Sequence, residues 1–122
     1  MEEYLIISNR QECVHIASDD IVYIMFDDNY SKIYIPSVLG NTPYLATMPI
    51  GKVVQALSDQ LKKSASNFIR VGRQLVINKK HLFSISLTDG EIGLLFPTGI
   101  HYVPASKEAL KNLMGIIDNT LV

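Results

Sequence analysis

Residues 67–81 read NFIRVGRQLVINKKH: apolar residues alternate with polar ones, and Arg70, Arg73, Lys79 and Lys80 are set among them. Period-two alternation puts successive side chains on opposite faces of a strand, so the stretch predicts two strands, 68–71 and 74–77, presenting cations. Gly72 interrupts the alternation. A glycine inside a strand pattern marks a bulge or turn that re-aims the next side chain. Arg70 and Arg73, three apart, would face opposite ways in one continuous strand. With Gly72 between them, Arg73 either sits at an exposed strand connection or is a solvated side chain beside a tight turn.

Outward from this stretch the charge is uneven. From Lys52 to Lys80 there are seven Lys or Arg against Asp59 alone, whereas residues 1–30 hold Glu2, Glu3, Glu12, Asp19, Asp20, Asp27 and Asp28 against Arg10. The net charge of −1 hides this asymmetry. A cationic strip binds polyanions by neutralising phosphates and releasing counterions, whatever the total charge; the bland alternative is a solvated face.

The 122 residues fit one domain, and 48% hydrophobic content suits a packed core. Cys13 has no second cysteine to pair with, and its place in Cys13-Val14-His15-Ile16 predicts a packed or half-buried thiol in a reducing compartment. Met1-Glu2-Glu3 lacks the basic start of a signal peptide, and Pro36, Gly40, Pro43 and Pro49 interrupt the uncharged run 33–51. A cytoplasmic location without membrane insertion is expected.

Short strands are predicted at 3–8, 12–17, 21–26, 31–36 and 44–48, with turns at Asp27-Asp28-Asn29 and Leu39-Gly40-Asn41-Thr42-Pro43. Ile50, Val53, Val54, Leu57 and Leu61 form one stripe of a helix over about 50–63, opened by Pro49 and closed by Lys62 and Lys63. Strands resume over about 68–103, at 68–71, 74–77, 82–87, 92–96 and 100–103, with turns at Thr88-Asp89-Gly90 and Pro97-Thr98-Gly99. Leu110, Leu113, Met114, Ile117 and Leu121 mark a C-terminal helix over about 106–119, with Ser106 where an N-cap belongs. The expectation is a single, mainly β domain over 1–122 with two accessory helices.

Catalytic and metal-binding classes find no support. His15, His81 and His101 are widely spaced, and no HxH, HExxH, nucleophile elbow or phosphate loop is present. Asp19-Asp20 and Asp27-Asp28 flank a strand, where acids cap turns, and lack EF-hand spacing. No enzyme, metal or cofactor is expected.

The run Phe68-Ile69-Arg70-Val71-Gly72-Arg73-Gln74-Leu75-Val76-Ile77-Asn78 resembles the F-x-R-x-H-R-S-φ-φ-V-N signature of LytTR-type (LytR/AlgR-like) DNA-binding domains, φ being apolar. Upstream, Asp20-Ile21-Val22-Tyr23-Ile24 and Asn29-Tyr30-Ser31-Lys32-Ile33 are similar to that family's D-I-φ-Y-φ and Y-φ-K-φ strands. Downstream, Tyr102-Val103-Pro104-Ala105-Ser106-Lys107 resembles its closing φ-P-V-S-R segment. The resemblance implies an elongated three-sheet β fold of about ten short strands with two accessory helices. It also implies a bacterial, response-regulator-like transcription regulator that lays loops rather than a recognition helix across duplex DNA.

Its DNA-facing positions map to Ser31 and Lys32, to Gly72, Arg73 and Gln74, and to Ser106 and Lys107. Arg73 is the expected principal contact, since a guanidinium takes guanine O6 and N7 bidentately or clamps a phosphate. Lys107 opposes the helix dipole, which a phosphate near that N-terminus would explain. Ser106 is an N-cap or a contact. Arg70 meets a phosphate or pairs with an acid such as Asp20, and Lys79 and Lys80 complete the cationic set. The apolar residues of the motif are read as core and Asn78 as a turn stabiliser. Gly72 stands where the family usually has His, Gln74 where it has Ser, and Lys107 where Arg is common. Gln74 can compensate by reading adenine N6 and N7. No receiver is expected ahead of the domain in these 122 residues, so control is expected from a protein partner, another domain or expression level. A homodimer on repeated sites is also consistent. The competing function is a protein-interaction or dimerisation module of the same fold with weakened or lost DNA binding.

Overall fold

The computed structural model describes residues 2–27, 29–36 and 43–118. Among them are ten strands and two α-helices. In chain order these are β1 (Tyr4–Ser8), β2 (Cys13–Ala17), β3 (Tyr23–Asp27), β4 (Tyr30–Tyr34), β5 (Tyr44–Ala46) and α1 (Ile50–Gln60). There follow β6 (Phe68–Val71), β7 (Leu75–Asn78), β8 (Leu82–Ser86), β9 (Glu91–Phe96), β10 (Gly99–Pro104) and α2 (Lys107–Ile117). The expected turn at residues 39–43, Asp28, Leu121 and the end of the C-terminal helix lie wholly or partly outside the described residues.

A five-stranded antiparallel sheet, ordered β5-β4-β3-β7-β6, is the centre, flanked by the β1-β2 pair and the three-stranded β10-β9-β8 sheet. Period-two alternation gives the central sheet two apolar faces. Ile24, Phe26, Ile33, Ala46 and Val76 pack with Leu5, Ile7 and Ile16 of the β1-β2 pair and Val53, Leu57 and Leu61 from α1. Tyr23, Val71, Leu75 and Ile77 pack with Ile92, Leu94 and Phe96 of β9 and Leu110 and Leu113 of α2. β7 is therefore buried at every residue. Its last residue, Asn78, is 1% exposed and satisfied: Nδ2 donates to the carbonyls of Ser18 (3.3 Å) and Ile21 (2.9 Å), and Oδ1 accepts from Lys80 N (3.0 Å). This is the turn-stabilising part expected of it.

Two expectations are corrected. α1 stops at Gln60, short of Lys62 and Lys63. The Glu3 carboxylate accepts from the backbone N–H groups of Lys62 (2.7 Å), Lys63 (3.0 Å) and Ser64 (2.7 Å), and this long-range partner draws the chain out of the helix. Cys13 is exposed rather than packed. Val14 and Ile16 take the core-facing parity of β2, which turns Cys13 and His15 outward.

Candidate nucleic-acid interface

The β6-β7 hairpin closes through Gly72, Arg73 and Gln74, since Val71 pairs with Leu75. Gly72 has φ +66°, the left-handed region that glycine enters without the steric cost of a Cβ. The turn is pinned from two sides. Gln74 O accepts from Phe26 N at 2.8 Å, which ties it to β3, and Arg70 Nη2 donates to Arg73 O at 3.1 Å. Arg70 thus braces the turn from β6. No ion pair joins it to Asp20; the one salt bridge among the described residues is Lys80 to Asp19, at 2.9 Å.

Opposite this turn stands the start of α2. Ser106 Oγ accepts from Ala109 N at 3.2 Å, so Ser106 is the N-cap, and its side chain remains exposed together with Lys107. Met25, Gly72, Arg73, Gln74, Ser106 and Ala109 line one open hollow of about 350 Å³. A Cβ placed on Gly72 would lie 3.9 Å from Ala109 Cβ, so the turn and the helix nearly touch. Arg73, Gln74, Ser106 and Lys107 are all exposed.

Lys32 joins this region by register. It pairs with Met25, and Met25 pairs with Leu75, so Lys32 shares the sheet face of a residue that lines the hollow. Ser31 does not join it. Its side chain has the parity of Ile33, is 0% exposed, and donates to Met48 O at 2.8 Å. The expectation that Ser31 offers a hydroxyl to DNA is corrected by that burial.

Lys79 and Lys80 are exposed but lie in a 3-10 turn after the far end of β7, a strand that spans roughly 13 Å from the Gly72 turn. The cations of 67–81 therefore divide between two ends of the hairpin, and Lys80 is already engaged by Asp19. Met25 and Ala109 were missed in the sequence. Met25 was findable: it has the same parity in β3 as Tyr23, on the face toward the second core. Ala109 was not, because only the folded chain brings α2 against the Gly72 turn.

The LytTr DNA-binding domain family matches residues 11–118. A solved LytTr DNA-binding domain from Bacillus cereus aligns with a TM-score of 0.64 over 96% of this chain and 98% of that chain, at 16% sequence identity, a likeness of fold. No curated protein is similar at a significant level. Among the described residues no helix is long and apolar enough to cross a membrane. With a family match over most of its length and the same mainly β, three-sheet fold, the chain belongs to the LytTr DNA-binding domain family.

Proposed function

We propose that the chain recognises a short duplex site as the DNA-binding part of a transcription regulator. The observation that supports this reading is that the Gly72 turn and the N-terminus of α2 wall the same hollow, which gathers Arg73, Gln74 and Ser106 at one end of the central sheet, with Lys107 following Ser106 as the first residue of α2. Arg73 takes a guanine edge or clamps a phosphate, and Gln74 reads an adenine edge. Lys107 and Lys32 hold backbone phosphates and set register without carrying sequence information. Arg70 positions the turn through the Arg73 carbonyl. Lys79 and Lys80 stand apart from this surface.

The test is a salt titration of duplex affinity in the wild type and in Arg73→Ala, Lys107→Ala and Lys79→Ala. Each lost phosphate contact flattens the log–log slope by about 1, and loss of a bidentate base contact costs about 1–3 kcal/mol. Lys79→Ala should leave both unchanged. A shallow slope that neither Arg73→Ala nor Lys107→Ala alters would sink the proposal. It would leave the second reading, an interaction module of the same fold, which is favoured by the absence of an imidazole at Gly72 and by the burial of Ser31.

A further inference from the structure

The end of β3 meets the Gly72 turn at one end of the central sheet. β3 and β7 pair through Met25 and Leu75, and the next step is closed by Phe26 N donating to Gln74 O at 2.8 Å. One residue further along each chain stand Asp27 and Arg73, so the last residue of β3 neighbours the arginine of the turn. Asp27 has the parity of Tyr23 and Met25, which pack with the second core, whereas Phe26 packs in the first. It therefore shares a sheet face with Met25, which lines the hollow, and with Lys32, and it is exposed there.

An aspartate at such a strand end ordinarily caps the turn through backbone N–H groups. Asp27 does not: among the described residues its carboxylate accepts from Tyr30 Oη alone, at 3.1 Å. Nor does it pair with Arg73, since the one salt bridge among the described residues is Lys80 to Asp19. Tyr30 lies opposite Asp27 in the β3-β4 register, and its hydroxyl holds Oδ2 while Oδ1 meets no group among the described residues. On a surface that offers Arg73, Lys107 and Lys32 to a polyanion, an acid that neither caps nor pairs weakens phosphate binding. A held carboxylate has a use there only where the partner presents a donor, and in the major groove the base donors are cytosine N4 and adenine N6.

We infer that Asp27 is a specificity-determining residue that accepts a hydrogen bond from the N4 amino group of a cytosine, next to the contact made by Arg73. This role rests on the DNA-binding reading and deepens it. Cytosine is favoured over adenine because adenine sets its N7 acceptor beside the N6 donor and so suits a group that both donates and accepts, whereas a carboxylate only accepts. A guanidinium and a carboxylate side by side also complement the edge of a G·C pair, where the O6 and N7 acceptors of guanine adjoin the N4 donor of cytosine. Tyr30 positions the carboxylate through Oδ2.

Binding-site selection from a randomised duplex pool with the wild-type chain supplies the site, and Asp27→Ala and Asp27→Asn are then run on the same pool. Asp27 is exposed and asparagine is its isostere, so both variants keep the fold. Wild type should enrich cytosine at one position and Asp27→Ala should lose that preference. Asp27→Asn should exchange the cytosine for adenine, which an amide reads through N6 and N7. Replacing the selected cytosine by a pyrimidinone base that lacks the N4 amino group should weaken wild-type binding about tenfold and leave Asp27→Ala unaffected. A cytosine preference that Asp27→Ala retains overturns the assignment and leaves the DNA reading standing. So does a uniform rise in affinity for every sequence in both variants with no change of base, the mark of plain repulsion from phosphate. A pool from which the wild type enriches nothing sinks both.

Discussion

At position 72 the backbone φ of +66° decides what the side chain can be. An L-residue there costs about 1–2 kcal/mol, and histidine is among the residues enriched in that region. Space is not the obstacle, because the nearest atom to an added Cβ is Ala109 Cβ at 3.9 Å. Gly72→Ala should therefore lower unfolding free energy by about 1 kcal/mol in urea melts. Gly72→His should cost no more than that, and in the proposed DNA reading it raises duplex affinity by adding a donor beside Arg73. Equal stability of Gly72→Ala and wild type would show that the turn relaxes out of the left-handed conformation. Gly72 was legible as a turn residue because a glycine that breaks an apolar alternation marks a bulge or turn. Ser31 was misread although the signal was present: it is two residues from Ile33, and equal parity put both on the buried face. The bracing bond from Arg70 to Arg73 O was not legible, since an arginine three residues from a turn can reach an acid, a phosphate or a carbonyl.

Among the elements, periodicity located every strand and both helices, but their ends depend on distant partners. β6 runs Phe68–Val71 as expected, because its bounds are set locally by the Gly72 turn. α1 ends early because Glu3, 59 residues away from Lys62, takes three backbone N–H groups beyond Gln60. Packing between strands is equally hidden from a one-dimensional pattern. Gly93 in β9 pairs with Ser84 of β8 and Tyr102 of β10. A Cβ at Gly93 would clash with Ser84 Oγ and lie 3.3 Å from both Ile100 Cγ2 and Tyr102 Cε1. Gly93→Ala should cost about 1–3 kcal/mol as overpacking. Adding Ser84→Ala removes the worst contact, so the double variant should recover part of that loss in the same melts. If the two changes simply add, the crowding is not at Ser84.

For the whole molecule, the sequence's cationic strip and acidic N-terminal third become a set of ties as well as surfaces. Lys80 meets Asp19, and Glu3 of the N-terminal segment reaches the connection that follows α1. Folding thereby consumes part of a charge asymmetry that a linear count assigns wholly to partners, leaving Arg73 and Lys107 exposed near the hollow. The Glu3 tie has a pH signature. The Ser64 hydroxyl donates to its carboxylate, and the backbone N–H groups of Ser64, Lys62 and Lys63 add to this, which holds its pKa down to about 2 from an ordinary 4.5. A carboxyl whose folded pKa is depressed stabilises the fold fully above the unfolded value, and that contribution drains away as pH falls toward the folded one. Glu3→Gln should therefore be less stable than wild type at neutral pH, and the gap should narrow as pH drops from 4.5 to 2. Urea melts of both proteins across that interval measure it. A gap that stays constant with pH would mean that the amide replaces the carboxylate at the backbone N–H groups, and that packing of the N-terminal segment, not charge, holds it to the end of α1.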